Sequence, residues 1–422
     1  MNLPDENDLI FDWSRNGARQ AQRPSTVMLY DETLRDGLQS PSVTDPPVER
    51  KVEILHLMEA LGIDCLDAGL PGAGARQREA VTRICREIAN QKMRITVSCA
   101  ARTVTADIQP IADVVQLTGV PVEAMLFIGS SPVRQYAEEW TLDFIVRQSR
   151  EAIAFAIREG LQVTYVTEDT TRSAPDDLRI LLTEAIAAGA KRVCLCDTCG
   201  AAIPDGAYNL VSWVRALIDE LHVDIGIDWH GHRDRGLDLA NSIAAIDGGA
   251  TRIHGTGLGI GERVGNTPME QLLVNLKLLG LRDGDLRRLP EYVAAVADAT
   301  AVAIPVNAPI IGRDAFRTAT GVHASAVIKA KRRGHDLLAN LVYSGVPAHI
   351  VGRKQEIEIG PMSGNSNVIF YLAEHGLPGT NDIIAAVLAE AKRSDHVLAE
   401  GDIVRVVKRR EAEAKKAGPV VG

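Results

Sequence analysis

The chain has 422 residues, a formal net charge of −9 and ordinary apolar and charged fractions, enough for one large domain with one or two smaller ones. The negative balance argues against a nucleic-acid groove or an anionic membrane surface as the main partner. No run approaches the ~20 apolar residues of a membrane helix, and the acidic opening Met1–Asp8 lacks the basic leader of a signal peptide.

Six cysteines lie at 65, 85, 99, 194, 196 and 199. That usage suits reduced thiols in the cytoplasm rather than a secreted disulfide scaffold. Cys196 and Cys199 have CxxC spacing, but without a second pair they read as small buried core residues before they read as a zinc or redox site.

Residues 1–24 read as a polar N-terminal arm. Thr26–Tyr30 then forms a short apolar, β-branched run, which predicts a buried strand. Directly behind it stand Asp31, Glu32, Arg35 and Asp36. Charges that follow a buried strand collect at its C-terminal mouth, where parallel α/β proteins keep their chemistry. Further strands are predicted at Cys65–Gly69, Arg94–Cys99, Ala124–Ile128, Gln162–Val166, Arg192–Cys196, Asp224–Asp228 and Thr251–Gly255. Helical periodicity separates them, as in Glu49–Leu61, Gln77–Asn90, Leu142–Glu159, Pro175–Ala188, Ala207–Leu221 and Leu237–Asp247. Eight strands alternating with helices describe an α/β (β/α)8 TIM barrel over 25–285. A doubly wound sheet is the alternative, but no glycine-rich fingerprint follows the first strand.

A helix over Pro268–Leu279 should close the barrel. Residues 286–422 then read as a mainly helical C-terminal appendage beginning with Leu289–Ala303. The runs His349–Val351 and Glu356–Ile359 follow, then a helix start at Met362–Ser366 and two helices over 380–416 with a solvated, charged end.

The seventh strand runs into Trp229, His230, Gly231 and His232. Period-two alternation sends Ile225, Ile227 and Trp229 to one face, and Asp228, His230 and His232 to the other. His230 and His232 would then project at the rim where Asp36 ends, since strands one and seven are nearly adjacent in a closed barrel. Two imidazoles and a carboxylate with open positions suit a divalent catalytic cation. Two rim histidines bonded to backbone or carboxylates are the alternative. The glycine-rich Gly255–Asn266 stretch reads as a phosphate loop or a support for neighbouring groups.

Asp31–Gly37, His230–Ser242 and Gly259–Asn266, in this order, resemble the acyl-CoA-condensing, metal-dependent TIM-barrel family. It comprises the 2-isopropylmalate, homocitrate and citramalate synthases, relatives of HMG-CoA lyase. The resemblance extends to Glu168–Arg172, Asp197-Thr198 and Gly321–His323, covering about 26–365. It implies a divalent metal ion (zinc, manganese or magnesium) on Asp36, His230 and His232, with Asn266 as a further ligand. It also implies acetyl-CoA as co-substrate and a 2-oxo acid as acceptor. Arg35 would sit over the ketone oxygen with Gln39 as a substrate-binding neighbour, and Thr198 would meet the carboxylate. Glu168, His323 and Tyr343 would stand by the reacting carbons, His323 as the base; packing is the alternative for Tyr343, and an ion pair for Arg35. Arg134 is a candidate for a distal anionic group of the substrate, against a surface role.

The implied assembly is a homodimer with a swapped C-terminal region, with no nucleic-acid or membrane partner, and no regulatory domain is expected. Leu38, Arg233 and Thr164 depart from the synthase pattern and leave the acceptor open. Lyases of this kind carry a cysteine after strand eight, whereas no cysteine follows Cys199 here, which favours synthesis over carbon–carbon cleavage. A silent metabolite-binding barrel would have lost a ligand or base.

Overall fold

The computed structural model describes residues 9–11, 23–334 and 336–417. The arm expected over 1–24 therefore lies almost wholly outside the described residues. Eight parallel strands, β1 to β8, close on themselves in sequence order, with β1 bonded to both β2 and β8. They are Met28–Asp31, Cys65–Asp67, Thr96–Arg102, Val122–Gly129, Gln162–Glu168, Arg192–Asp197, Gly226–Gly231 and Arg252–Gly255. This is the TIM barrel.

The strands end later than their apolar runs suggest. β5 continues to Glu168 and β6 to Asp197, because ladder bonds do not require apolar side chains and the last inward-facing residues serve the mouth. β7 starts at Gly226, where its pairing with Arg192 of β6 begins.

The surrounding helices each bury one stripe. Leu142–Arg158 starts at Thr141, whose side chain accepts a hydrogen bond from the Phe144 N–H at 3.2 Å. It buries Ile145, Ser149, Ala152, Ile153 and Ala156, the spacing of one helix face. Ile145 and Ile153 are fully buried, each contributing about 1.5–3 kcal/mol.

Two compact units meet in sequence at Ile304 and Pro305, not at the 285/286 boundary expected above. Helix Leu289–Thr300 belongs with the barrel because Tyr292 bonds to the end of β1: its hydroxyl donates to Asp31 Oδ2 at 2.5 Å and lies 3.1 Å from the Thr33 hydroxyl.

The second unit contains helices Gly321–Arg332, Asp336–Leu341, Asn365–Glu374, Asn381–Arg393 and Glu400–Ala417. A two-residue parallel pair joins Arg317–Thr318 to Glu356–Ile357. The run at 349–351 is a turn, Ala348–Val351, set by Pro347 before it and by Gly352 at φ +69° after it. The charged end continues its helix to Ala417, anchored by buried Ile403, Val406 and Val407. Among the described residues no helix is long and apolar enough to cross a membrane.

Candidate active site

The C-terminal mouth of the barrel holds a cavity of about 300 Å³, lined from all sides by strand ends and the loops behind them. Asp36, His230 and His232 meet there, all buried, with one ligand atom of each within 4.8 Å of the others. Alternation along β7 brings His230 inward, His232 follows just past the strand's end, and their ring centroids lie 5.0 Å apart. Asn266 joins them through a bridge pairing with His232. Its Nδ2 donates to Asp36 Oδ1 at 2.8 Å.

Several observations suit this group to a divalent cation. His232 Nδ1 and Asn266 Oδ1 are buried without a hydrogen-bond partner, a costly condition unless another electrophile is taken up. Burial first, then the neighbouring His230, lowers the His232 pKa to about 4, so its ring is the neutral base a cation needs. Burial pushes the Asp36 carboxyl up, but Arg35, His230 and His232 outweigh it and hold it below the usual carboxylate range. Arg35 is gripped by Glu32, by Asp36 at 2.8 Å and by Asp67 at 2.8 Å. The carboxylates around this one guanidinium outnumber it, a surplus of negative charge that suits a cation.

The space around the group is kept by glycine. Gly261 has φ +152°, and a Cβ on it would stand 2.1 Å from Asn266 Nδ2 and 2.7 Å from Asp36 Oδ1.

Glu32 Oε2 lies 2.6 Å from His230 Nδ1, the carboxylate–imidazole pairing that fixes a ligand's tautomer. Below it, His254 links Glu32 (3.3 Å) to Asp228 (3.1 Å). Burial alone would discharge His254, but Glu32 and Asp228 overcome it and the ring holds its proton more firmly than usual. Asp228 is pushed up by burial, yet Arg192 and Arg252 drive its pKa far below the ordinary value. Arg252 also pairs with Glu123 at 2.7 Å and packs 4.9 Å from the Tyr30 ring. Buried Thr164, Asp228 and Arg252, with half-buried Glu123 and Arg192, thus form a polar layer beneath the cavity.

The remaining candidates fall into two sets. Glu168 and Thr198 line the cavity with Arg35 and Gln39. Burial raises the Glu168 pKa, with Arg134 and Arg35 opposing. Thr198 Oγ1 accepts from the Asp169 N–H at 2.8 Å, leaving its hydroxyl hydrogen free to donate. Gln39 Oε1 accepts from Arg35 Nη1 at 3.2 Å. Arg134 does not line the cavity. It pairs with Glu138 at 3.2 Å and stands 3.9 Å from Glu168. His323 and Tyr343 belong to the second unit, where their rings stack with centroids 4.0 Å apart.

Glu32, from the charged cluster behind strand one, and Glu262 and Arg263, from the Gly259–Asn266 stretch, also line the cavity, as do Asp67 and His254, which were not singled out from the sequence. Cys194 and Cys196 face it as buried, unpaired thiols, their sulfurs 3.8 Å apart.

Comparison with known proteins bears on the family and the fold. The HMGL-like family pattern matches residues 26–296. The chain is 32% identical over 381 residues to homocitrate synthase AksA of Methanopyrus kandleri, covering 90% of each chain. It is 31% identical over 414 residues to the 2-isopropylmalate synthase of Methanocaldococcus jannaschii, covering 97% of this chain and 74% of that one. Hydroxymethylglutaryl-CoA lyase from Pseudomonas aeruginosa shares the fold, with a TM-score of 0.56 at 19% identity over 65% of this chain and 93% of that chain.

Proposed function

We propose, for a chain that belongs to the HMGL-like family, an acyltransferase that condenses acetyl-CoA with a 2-oxo acid and releases a 2-hydroxy dicarboxylate and CoA. The observation that carries this reading is the convergence of Asp36, His230 and His232 beside Arg35 in one cavity at the barrel mouth.

Asp36, His230, His232 and Asn266 would hold a divalent cation. When bound, it would polarise the acceptor's ketone and offset the charge that grows on its oxygen. Arg35, immobilised by three carboxylates, is preorganised to donate to that same oxygen. The Thr198 hydroxyl is free to donate to the acceptor's carboxylate. Glu168 lines the cavity where the reacting carbons would lie, and the family resemblance assigns removal of the acetyl methyl proton to His323, on whose ring Tyr343 stacks. The methyl carbon then bonds to the ketone carbon, the oxygen takes up a proton, and water cleaves the thioester to release the CoA thiol. The reading includes a homodimer and a cytoplasmic location, both carried by the family resemblance.

A thiol-release assay tests it, using acetyl-CoA with a panel of 2-oxo acids, with and without zinc, manganese or magnesium. Metal-dependent release with at least one oxo acid is expected. Cleavage of hydroxyacyl-CoAs without any condensation would replace this reading with a lyase.

A further inference from the structure

The cavity is divided chemically. Glu32, Arg35, Asp36, Asp67, His230 and His232 make a charged half on the ends of β7, β1 and β2. Leu70, Ala100, Met125, Phe127 and Val166 make an apolar half on β2 to β5. Pairing joins the wall across three strands, since Ala100 lies beside Met125 and Phe127 beside Val166. Met125 and Ala100 are buried.

The two guanidiniums on the lining are already engaged. Arg35 serves three carboxylates. Arg263 is held by both oxygens of Asp234, at 2.8 and 2.9 Å, and by the Thr198 carbonyl at 2.6 Å. Arg252, beneath Met125, is neutralised by Glu123 and Asp228. The acidic side chain nearest the apolar wall along β5 is Glu168, two residues from Val166. Arg134, the remaining arginine near this half, stands outside the lining and faces Glu138 and Glu168. A carboxylate placed among the apolar side chains would therefore lose its water and meet no unengaged cation on the lining, whereas an alkyl group would be buried favourably.

We infer that the oxo-acid subsite takes an acceptor with a short, uncharged aliphatic side chain, not one ending in a second carboxylate. The inference rests on the condensation reading and narrows its substrate class. Relatives at 31–32% identity are named for different products, homocitrate and 2-isopropylmalate, so similarity alone does not choose between them.

The test compares kcat/KM of the metal-loaded full chain for pyruvate, 2-oxobutanoate, 2-oxoisovalerate, 2-oxoglutarate and oxaloacetate at fixed acetyl-CoA. At least one aliphatic acid should exceed both dicarboxylates by about 100-fold or more. In Phe127→Ala, or Val166→Ala if that variant loses its cooperative melting transition, preference should shift about 10-fold toward larger alkyl groups. A dicarboxylate equal to or better than every aliphatic acid would overturn the inference and leave condensation standing, as would truncations that leave the preference unmoved. Thiol release with none of the five acids would overturn the condensation reading itself.

Discussion

Glu32 Oε2 stands 2.6 Å from His230 Nδ1, and the same carboxylate grips Arg35 with its other oxygen. One buried side chain thus orients a metal-ligand candidate and the neighbouring cation. Glu32→Gln keeps the volume and removes the charge. Affinity for a divalent ion, measured by chelator competition, should fall about 10- to 100-fold. Unchanged affinity would refute the orienting role.

Asp36→Asn and His232→Ala each remove one of the three converging groups. Turnover should drop on the order of 1,000-fold or more while the circular dichroism spectrum is preserved, since the lost group acts on developing charge. Dialysis against a chelator should reproduce the loss in the unaltered protein, and added divalent ion should reverse it. Full activity after chelation would exclude a metal requirement.

Gly261→Ala introduces a methyl group into the space shared by Asn266 and Asp36, at a φ that only glycine adopts comfortably. Strain of about 1–3 kcal/mol is expected. Metal affinity should fall with it. A variant with unaltered melting temperature and affinity would show that the loop yields.

Glu270, fully enclosed, has its pKa pushed up by burial to about 7, although its carboxylate accepts from the Leu258 N–H at 3.0 Å. The folded chain therefore binds this proton more tightly than the unfolded chain. The resulting penalty is absent below the ordinary carboxylate value, grows as pH rises and is complete above about 7. Glu270→Gln keeps an oxygen for Leu258 and removes the charge. Melting temperatures of variant and parent should coincide near pH 4 and diverge in the variant's favour at pH 8. Divergence in the opposite sense would contradict the sign.

Much of the barrel was legible because most strands carry a short apolar run and each helix a separate stripe. The inward set on β7 could be read from alternation, which placed His230 and His232 correctly. The same rule applied to Arg252-Ile253-His254-Gly255 would have sent Arg252 and His254 inward, where they lie; the strand's brevity hid the pattern. Asp67 was obscure because its role depends on Arg35, 32 residues away, and sequence spacing carries no record of such a meeting. The domain boundary was misjudged for a similar reason. Nothing in Leu289–Thr300 itself announces that Tyr292 will donate to Asp31.

The polar layer of Arg252, Asp228 and Glu123 crosses the barrel below the cavity, its charges paired with one another. On the condensation reading, reactants and products would then enter and leave by the barrel mouth. Whatever nests deepest must arrive first and depart last, so an acyl donor spanning the entrance would lock the smaller molecule in place until its own thiol has gone.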